Sequence, residues 1–256
     1  MKKIFLVMVL IFNFSLYAKE LSIKTQDGFV LKGWLTFPKV VKENYPIAFF
    51  SHEFGSSHKM WEPISSMLRE CGYATFEMDL RGHGESILQN GKENKIIGDV
   101  SEGHLQDSVS QSEKKVNFKK IPSDLALWLN TLVENEKIDM QKLVFFGSSL
   151  GGGALIPLFM EFEPKVVVLF SPAGPKSFGE NSVNESISNS TAKILIISSR
   201  GDFALENAFE YTKKALMPTF LVVPGSGHGS ATFGLAMPYL KTYLGKYLDN
   251  PTCNKN

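Results

Sequence analysis

A serine in a G-x-S-x-G pattern is the first feature of this sequence that could do chemistry. Ser149 lies between Gly147 and Gly151, directly after the apolar run at residues 143–146. A strand that ends in so tight a turn strains the serine backbone, and glycines two positions to either side avoid collisions between side chains. The turn exposes the hydroxyl at the end of the strand, where a helix begins. The pattern therefore predicts a serine nucleophile.

An acid and a histidine follow Ser149 in the order that such a nucleophile requires. Asp202 comes just after the apolar run at 194–199, and His228 comes after the next run, at 220–223. Because the carboxyl ends of parallel strands meet at one edge of a sheet, both side chains can converge on Ser149. His228 would take the serine proton and Asp202 would orient the imidazole. These three residues predict acyl transfer through a covalent acyl-enzyme.

The three residues need a frame of alternating strands and helices, and the remaining sequence predicts one. Two alternating runs, 20–25 and 29–37, are separated by Asp27-Gly28 and indicate an antiparallel hairpin. Runs typical of buried parallel strands follow at 46–51, 73–79, 143–147, 166–171, 194–199 and 220–223. Helical patterns occur at 61–70, 123–134, 150–162, 204–216 and 231–248. The chain is predicted to be α/β, with a mostly parallel sheet of about eight strands and helices on both faces.

With these motifs the chain resembles the α/β-hydrolase superfamily over nearly all residues after the first 18. The segment Asp79-Leu80-Arg81-Gly82-His83-Gly84-Glu85-Ser86 is similar to the D-x-R-G-x-G-x-S turn of many members, and we interpret it as structural. The resemblance implies the α/β-hydrolase fold and an oxyanion hole of two backbone N–H groups. By resemblance these belong to Leu150, just after the nucleophile, and to Phe54, in the loop after residues 46–51.

That loop departs from the superfamily pattern at Glu53, where many relatives have glycine. It reads Ser51-His52-Glu53-Phe54-Gly55-Ser56-Ser57. Glu53 is interpreted either as a solvated loop residue or as an accessory residue that contacts the nucleophile. Dienelactone hydrolases carry a glutamate in the matching loop that pairs with their cysteine nucleophile, and their G-x-C-x-G-G elbow is similar to residues 147–152. Both interpretations stay open.

The resemblance implies a serine hydrolase that cleaves carboxylic esters. About 22 residues separate Ser171 from Ile194, which is too few for a large cap domain. We therefore expect an open site and short-chain esters. The alternatives are an aminopeptidase-like serine peptidase or an acyltransferase of the same fold, and, further off, a non-catalytic binding protein.

In two polar segments the apolar residues show no clear periodic spacing. Residues 87–121 are predicted to be a long irregular loop, either a mobile flap over the acyl pocket or a passive insertion. A flap of this kind could be deleted without loss of folding. Residues 179–191, rich in serine and asparagine, are also predicted to be irregular.

The composition of the chain limits which cofactors and partners we expect it to bind. The 256 residues include 27 Lys plus Arg and 26 Asp plus Glu, so a net charge of +1 gives no case for binding nucleic acid. The sequence has no metal-ligand cluster and no dinucleotide fingerprint, so we expect no metal or other cofactor and a small-molecule ester as the partner. The two cysteines, Cys71 and Cys253, could pair, but two free or structural thiols are favoured. The oligomeric state is left open.

The first 18 residues have the pattern of a secretory signal peptide. Lys2 and Lys3 precede an apolar run at 4–14, and Ala18 stands before the polar Lys19. The run is short for a membrane span, so none is expected after cleavage. The predicted division is 1–18 as signal peptide and 19–256 as α/β-hydrolase domain, located in the periplasm or secreted.

Overall fold

Strands and helices alternate along the residues that this computed structural model describes, which are 18–98, 103–135 and 137–248. The predicted signal peptide, apart from Ala18, and Cys253 lie outside them. The strands are β1 (Ala18–Lys24), β2 (Phe29–Thr36), β3 (Tyr45–Ser51), β4 (Ala74–Met78), β5 (Leu88–Gln89), β6 (Lys92–Glu93), β7 (Ile138–Ser148), β8 (Val166–Phe170), β9 (Lys193–Ser199) and β10 (Pro218–Val223). The helices are α1 (Glu62–Glu70), α2 (Leu105–Val116), α3 (Ile121–Val133), α4 (Ser149–Leu155), α5 (Phe159–Phe162), α6 (Glu180–Asn189), α7 (Leu205–Lys214) and α8 (Phe233–Tyr247).

One mixed sheet contains all ten of these strands. Its main order is β1-β2-β4-β3-β7-β8-β9-β10, and the short hairpin β5–β6 attaches to the end of β2. The strand β2 is antiparallel to β1 and β4, whereas β4, β3, β7, β8, β9 and β10 are parallel to their neighbours within this group. The predicted antiparallel hairpin and mostly parallel sheet are confirmed. All carboxyl ends of the parallel strands therefore share one edge.

The sheet is buried on both faces because its central strands carry apolar side chains on both of them. Successive side chains of a strand point to opposite faces. Phe49 and Phe145 thus belong to the core cluster that also contains residues of α3, α5, α6 and α7. Phe50 and Phe146 belong to the other cluster, where they pack with Trp61 between the sheet and helices α1 and α8. Helices on both faces are what the continuous apolar runs predicted.

Residues 87–121 are not the irregular loop that the sequence predicted. They contain the β5–β6 hairpin, α2 and a 3-10 turn, Phe118–Lys120. The weak period has a physical cause, since α2 buries Ser108 and Ser112 together with Val116, so polar residues occupy its inner face. Because Val116 and Phe118 are buried in the core, deleting this segment would expose apolar surface. We therefore expect a deletion of this segment to impair folding, contrary to the hypothesis of a deletable flap.

The connection between β8 and β9 is also more regular than predicted. It holds a 3-10 turn, Pro175–Ser177, and then α6, which buries Val183 and Ile187 four positions apart. Two apolar residues give only a faint helical pattern among serines and asparagines. The connection is described throughout and contains no large cap, as predicted.

Cys71, at the end of α1, forms a disulfide. The favoured expectation of a free thiol was therefore wrong for this residue. Cys71 also lines a groove of about 790 Å³ between α1 and α8, near the amino ends of the strands. The predicted nucleophile lies at their carboxyl ends, so this groove belongs to the opposite end of the sheet.

None of the helices in the described ranges has the length and apolar character that crossing a bilayer requires.

Candidate active site

The junction of β7 and α4 has the tight geometry that the G-x-S-x-G pattern predicted. Ser149 has a φ of 45°, a left-handed backbone that a non-glycine residue rarely adopts. A Cβ on Gly147 would lie 2.5 Å from the Cα of Gly152, and a Cβ on Gly151 would lie 2.4 Å from the carbonyl oxygen of His52. The two glycines are required because backbone passes against backbone on both sides of the serine.

The structure brings Ser149, His228 and Asp202 into a continuous hydrogen-bonded chain. The Oγ of Ser149 lies 2.7 Å from Nε2 of His228, and Nδ1 of His228 lies 2.8 Å from Oδ1 of Asp202. A carboxylate only accepts hydrogen bonds, so Nδ1 carries the proton and Nε2 accepts from the serine hydroxyl. In this tautomer the imidazole is ready to take the serine proton.

Four donors surround the buried carboxylate of Asp202. Besides His228, these are the Ser171 hydroxyl and the Ser198 hydroxyl (2.9 Å) on Oδ2, and the N–H of Ala204 (2.9 Å) on Oδ1. Burial raises the pKa of Asp202, but the hydrogen bonds, with that of His228 first, outweigh burial and hold the pKa below its ordinary value of 3.8. Asp202 is therefore ionised at neutral pH.

The loop that carries His228 is tied down on both sides of the histidine. The hydroxyl of Ser199 donates to the carbonyl oxygen of Gly227 (2.7 Å), and the N–H of Gly229 donates to Oγ of Ser171 (2.9 Å). Ser171 thus accepts from the histidine loop while it donates to the acid. These contacts fix the backbone from which the imidazole projects.

His52 holds the loop after β3 against the turn that contains the serine. Its Nδ1 lies 2.7 Å from the carbonyl oxygen of Glu53, and its Nε2 accepts from the N–H of Leu80 at 3.0 Å. Burial lowers the pKa of His52, so the ring is neutral with its proton on Nδ1. The carbonyl oxygen of His52 accepts from the N–H of Gly151 at 3.1 Å. This bond joins the loop directly to the first turn of α4.

The two predicted oxyanion donors, Phe54 and Leu150, lie on these joined segments. Leu150 is the second residue of α4, a position whose N–H has no acceptor within the helix. The Phe54 ring packs edge-on against His83 (centroids 5.6 Å apart) and Phe118 (5.9 Å), which fixes its part of the loop. The segment 87–121 therefore supports the loop after β3 through Phe118.

Glu53 fits neither interpretation that the sequence left open. Its half-buried side chain accepts from the Ser148 hydroxyl (2.6 Å), from the N–H of Ser230 (2.9 Å) and from the Ser230 hydroxyl (2.6 Å). It is thus not simply solvated. Its partner at the elbow is the residue before Ser149 rather than the nucleophile itself.

The turn at 79–86 is structural, as predicted. The carboxylate of Asp79 accepts from the N–H groups of His58 (2.7 Å) and Glu85 (2.8 Å). Arg81 is fully buried and makes a two-pronged bond to Asp124, at 2.6 and 2.8 Å, which ties the turn to α3. Neither Asp79 nor Arg81 takes part in the hydrogen bonds that connect Ser149, His228 and Asp202.

Five residues that contact the three central ones or their neighbours, including Phe203 with its ring stacked on His228, were not predicted from the sequence. These are Ser148, Ser171, Ser198, Ser230 and Phe203. A usable signal existed for Ser171 and Ser198, since each is a polar residue at the carboxyl end of a buried apolar strand. Within the described residues, no group of three or more His, Cys, Asp or Glu side chains could hold a metal ion.

Known proteins share this sequence pattern and fold. The profile of the acetyl xylan esterase (AXE1) family matches residues 15–169, which is more than half of the chain. That range includes Ser149 and the loop after β3 but ends before Asp202 and His228. No protein with a curated description matches the sequence significantly.

Solved structures with a similar fold are esterases and related hydrolases. Est1E from Butyrivibrio proteoclasticus superposes with a TM-score of 0.65 at 15% identity, over 89% of this chain and 98% of that one. A dienelactone hydrolase from Anabaena variabilis gives 0.60 at 18% identity, over 90% and 99%. The esterase domain of a Rhodothermus marinus protein gives 0.63 at 19% identity, over 91% and 99%. These similarities confirm the α/β-hydrolase fold that the resemblance implied.

Proposed function

The chain belongs to the acetyl xylan esterase (AXE1) family, and we propose that it cleaves short-chain carboxylic esters with Ser149 as nucleophile, His228 as base and Asp202 as the orienting acid. The family and the fold make it an esterase of the α/β-hydrolase class. The observation that carries the proposal is the hydrogen-bonded chain Ser149–His228–Asp202, with its 2.7 and 2.8 Å links, at a strained strand-to-helix turn. Nucleophile, base and orienting group are all within hydrogen-bond reach.

In the first half of the proposed reaction, Oγ of Ser149 attacks the ester carbonyl carbon and its proton passes to Nε2 of His228. The carbonyl oxygen becomes an oxyanion, which the N–H groups of Phe54 and Leu150 would stabilise. The tetrahedral intermediate collapses as the bond to the leaving oxygen breaks. Nε2 of His228 gives its proton to that oxygen, so an alcohol leaves and the acyl group stays on Ser149.

In the second half, water attacks the acyl-serine ester. His228 takes a proton from the water, the new tetrahedral intermediate collapses, and the same proton returns to Oγ of Ser149. A carboxylic acid leaves and the enzyme is restored. The ionised Asp202 stabilises the imidazolium that forms in each half, because its low pKa keeps it charged while His228 is protonated.

The proposed acyl group is small, with acetyl first. Two observations support this. The connection between β8 and β9 carries no large cap that could enclose a long chain, and the matching family is described as acetyl xylan esterase. One structural neighbour, Est1E, has been solved with ferulic acid bound, so a bulkier aromatic acyl group is the natural comparison.

The experiment is a comparison of p-nitrophenyl acetate, butyrate and palmitate, with acetate release from acetylated xylan and ferulate release from a feruloyl ester beside them. We expect turnover to fall from acetate to palmitate. Ser149→Ala should lower kcat by about 10⁴-fold or more. Ser123→Ala, an exposed serine of α3 with a hydrogen bond to the backbone, is the matched control and should leave kcat unchanged.

The alternatives give distinct outcomes in the same assay. Activity that persists in Ser149→Ala would refute the proposed nucleophile. Faster cleavage of aminoacyl p-nitroanilides than of esters would identify a peptidase. If the reaction formed more methyl ester than free acid after a low concentration of methanol was added, the protein would be an acyltransferase.

We also propose that the protein is exported and that residues 1–18 are removed. The support is the pattern of two lysines, an apolar run and Ala18, together with the disulfide at Cys71, which an oxidising compartment favours. Cleavage after Ala18 would leave residues 19–24 paired with β2. Amino-terminal sequencing of protein from the producing cell should begin at Lys19, and an intact Met1 in the mature protein would contradict export by this route.

A further inference from the structure

One carboxylate joins three separate loops beside Ser149 and His228. Glu53 comes from the loop after β3, Ser148 ends β7, and Ser230 follows β10. Oε2 of Glu53 accepts from the Ser148 hydroxyl at 2.6 Å and from the Ser230 N–H at 2.9 Å, while Oε1 accepts from the Ser230 hydroxyl at 2.6 Å. The loop of the nucleophile and the loop of the base are thus both bonded to the same side chain.

The arrangement suits a carboxylate better than other side chains. Both oxygens are acceptors, and all three partners are donors in this geometry. Hydrogen bonds from hydroxyl groups to a carboxylate are generally shorter than those between neutral groups, and both hydroxyl contacts of Glu53 are 2.6 Å long. A glutamine has one acceptor oxygen, so it could keep part of this network but not all of it.

The carboxylate also packs directly against the backbone next to His228. Gly229 has a φ of +54°, and a Cβ on it would lie 1.9 Å from Oε2 of Glu53 and 2.7 Å from Oγ of Ser148. The backbone of the histidine loop therefore rests on the carboxylate with no spare room. Ser148 directly precedes the nucleophile and Ser230 is two residues after the base, so a change at Glu53 reaches both.

We propose that Glu53 is a positioning residue that clamps the His228 loop to the Ser149 turn and so keeps Oγ of Ser149 and Nε2 of His228 at hydrogen-bond distance. It does not touch the reacting atoms. This inference rests on the proposed function, because it assigns Glu53 a part in the transfer of the Ser149 proton. It also accounts for a glutamate at this position, because a glycine would lack the side chain that bonds to both Ser148 and Ser230.

The test is a double-mutant cycle with Glu53→Ala and Ser230→Ala, measured as kcat and KM for p-nitrophenyl acetate. A misplacement of about 1 Å can cost about 100-fold in rate, so Glu53→Ala should lower kcat by about 30- to 100-fold with KM within about twofold of wild type. Ser230→Ala should lower kcat by about tenfold. The double variant should be no slower than Glu53→Ala, since both changes remove one link.

Two further variants separate positioning from general stability. Leu132→Ala opens a cavity in the core at the far end of α3 and should lower the melting temperature without changing kcat at 25 °C. Glu53→Gln should recover part of the lost kcat, because it keeps one acceptor. Additive losses in the double variant, or a Glu53→Ala protein with wild-type kcat, would overturn the clamp.

The outcome can be told apart from a failure of the proposed function. If Ser149→Ala keeps its activity, the proposed function fails and the clamp with it. If Ser149→Ala is inactive while Glu53→Ala and Ser230→Ala both keep wild-type kcat, only the clamp fails. Should Glu53→Ala not fold, Ser230→Ala and Glu53→Gln decide the question alone, since neither leaves a space in the core.

Discussion

The phenyl ring of Phe203 lies parallel to the imidazole ring of His228, with the ring centroids 4.2 Å apart and the planes inclined by 21°. Phe203 directly follows Asp202 in the chain, and 71% of it is exposed to solvent. In the proposed mechanism His228 protonates the leaving oxygen, so the alcohol part of the ester would pass beside this exposed ring. Phe203 would then form one wall of the site for the leaving group.

Phe203→Ala should therefore weaken binding of esters with a flat leaving group. An aromatic contact contributes about 1 kcal/mol, so we expect KM for p-nitrophenyl acetate to rise about fivefold, while KM for methyl acetate stays the same. Steady-state kinetics on both esters measures this. Phe209→Ala, another exposed phenylalanine, on α7, is the matched control. An equal rise in KM for both esters would contradict a wall that contacts the leaving group.

Asp202→Asn should remove most of the rate while it leaves the fold intact. The amide has nearly the same shape, but it carries no charge to stabilise the imidazolium and it favours the wrong tautomer of His228. We expect kcat for p-nitrophenyl acetate to fall by about 10⁴-fold, with the circular dichroism spectrum unchanged. Asp107→Asn, at an exposed position of α2, should have no effect. A loss smaller than tenfold would argue against Asp202 as the orienting acid.

Asp79→Asn should cost stability in a way that depends on pH. Burial raises the pKa of Asp79, but hydrogen bonds from His58 and from the Glu85 N–H outweigh it, so the folded-state pKa lies below 3.8. Because the pKa of Asp79 is lower in the folded protein than in the unfolded chain, the ionised carboxylate stabilises the fold at pH values above the pKa of the unfolded chain. This stabilisation is lost as the pH falls through the pKa of the folded protein.

Urea unfolding at pH 7, 5, 4 and 3 tests this prediction. At pH 7 the free energy of unfolding of Asp79→Asn should lie about 1–3 kcal/mol below that of wild type. The gap should narrow below about pH 4, where Asp79 takes up a proton in the unfolded chain. A gap that stays constant across this range would show that the charge of Asp79 contributes nothing.

Cys71→Ser should lower the free energy of unfolding by about 2–5 kcal/mol. Cys71 is in a disulfide, and Cys253 is the only other cysteine in the sequence, so we expect these two to be linked within one chain. Cys253→Ser and reduced wild-type protein should show the same loss of stability. Peptide mapping without reduction should recover the linked pair, whereas two titratable thiols in the native protein would contradict it.

The residues at the centre of the site could be predicted because their signals are local. Ser149 and Asp202 each follow a buried apolar strand, and His228 follows the apolar edge strand β10. The order of nucleophile, acid and base restricted the choice among five histidines. The contacts of Glu53 could not be predicted in this way. Glu53 and Ser230 are 177 positions apart, and no sequence pattern links a glutamate to a serine at that distance.

One missed helix and one predicted helix that the structure interrupts have a different cause. The segment that contains α2 was predicted to be an irregular loop because the helix buries serines where an amphipathic helix usually has an apolar stripe. The helix predicted at 150–162 is interrupted by the 3-10 turn Ile156–Leu158, where Pro157 cannot supply a backbone donor. Tertiary packing determines both the buried serines and the interrupted helix, and the local sequence pattern indicates neither of them clearly.

The absence of a large cap between β8 and β9 affects which shapes of substrate could reach the site. With no large cap in this connection, a substrate of the proposed esterase would not have to be small or to present a free end. An ester group halfway along a polymer could approach Ser149 sideways, with the rest of the polymer lying across the protein surface. Acid and alcohol could then diffuse away without a gate having to open, and the rate would depend on how densely the polymer is esterified rather than on how often it is cut.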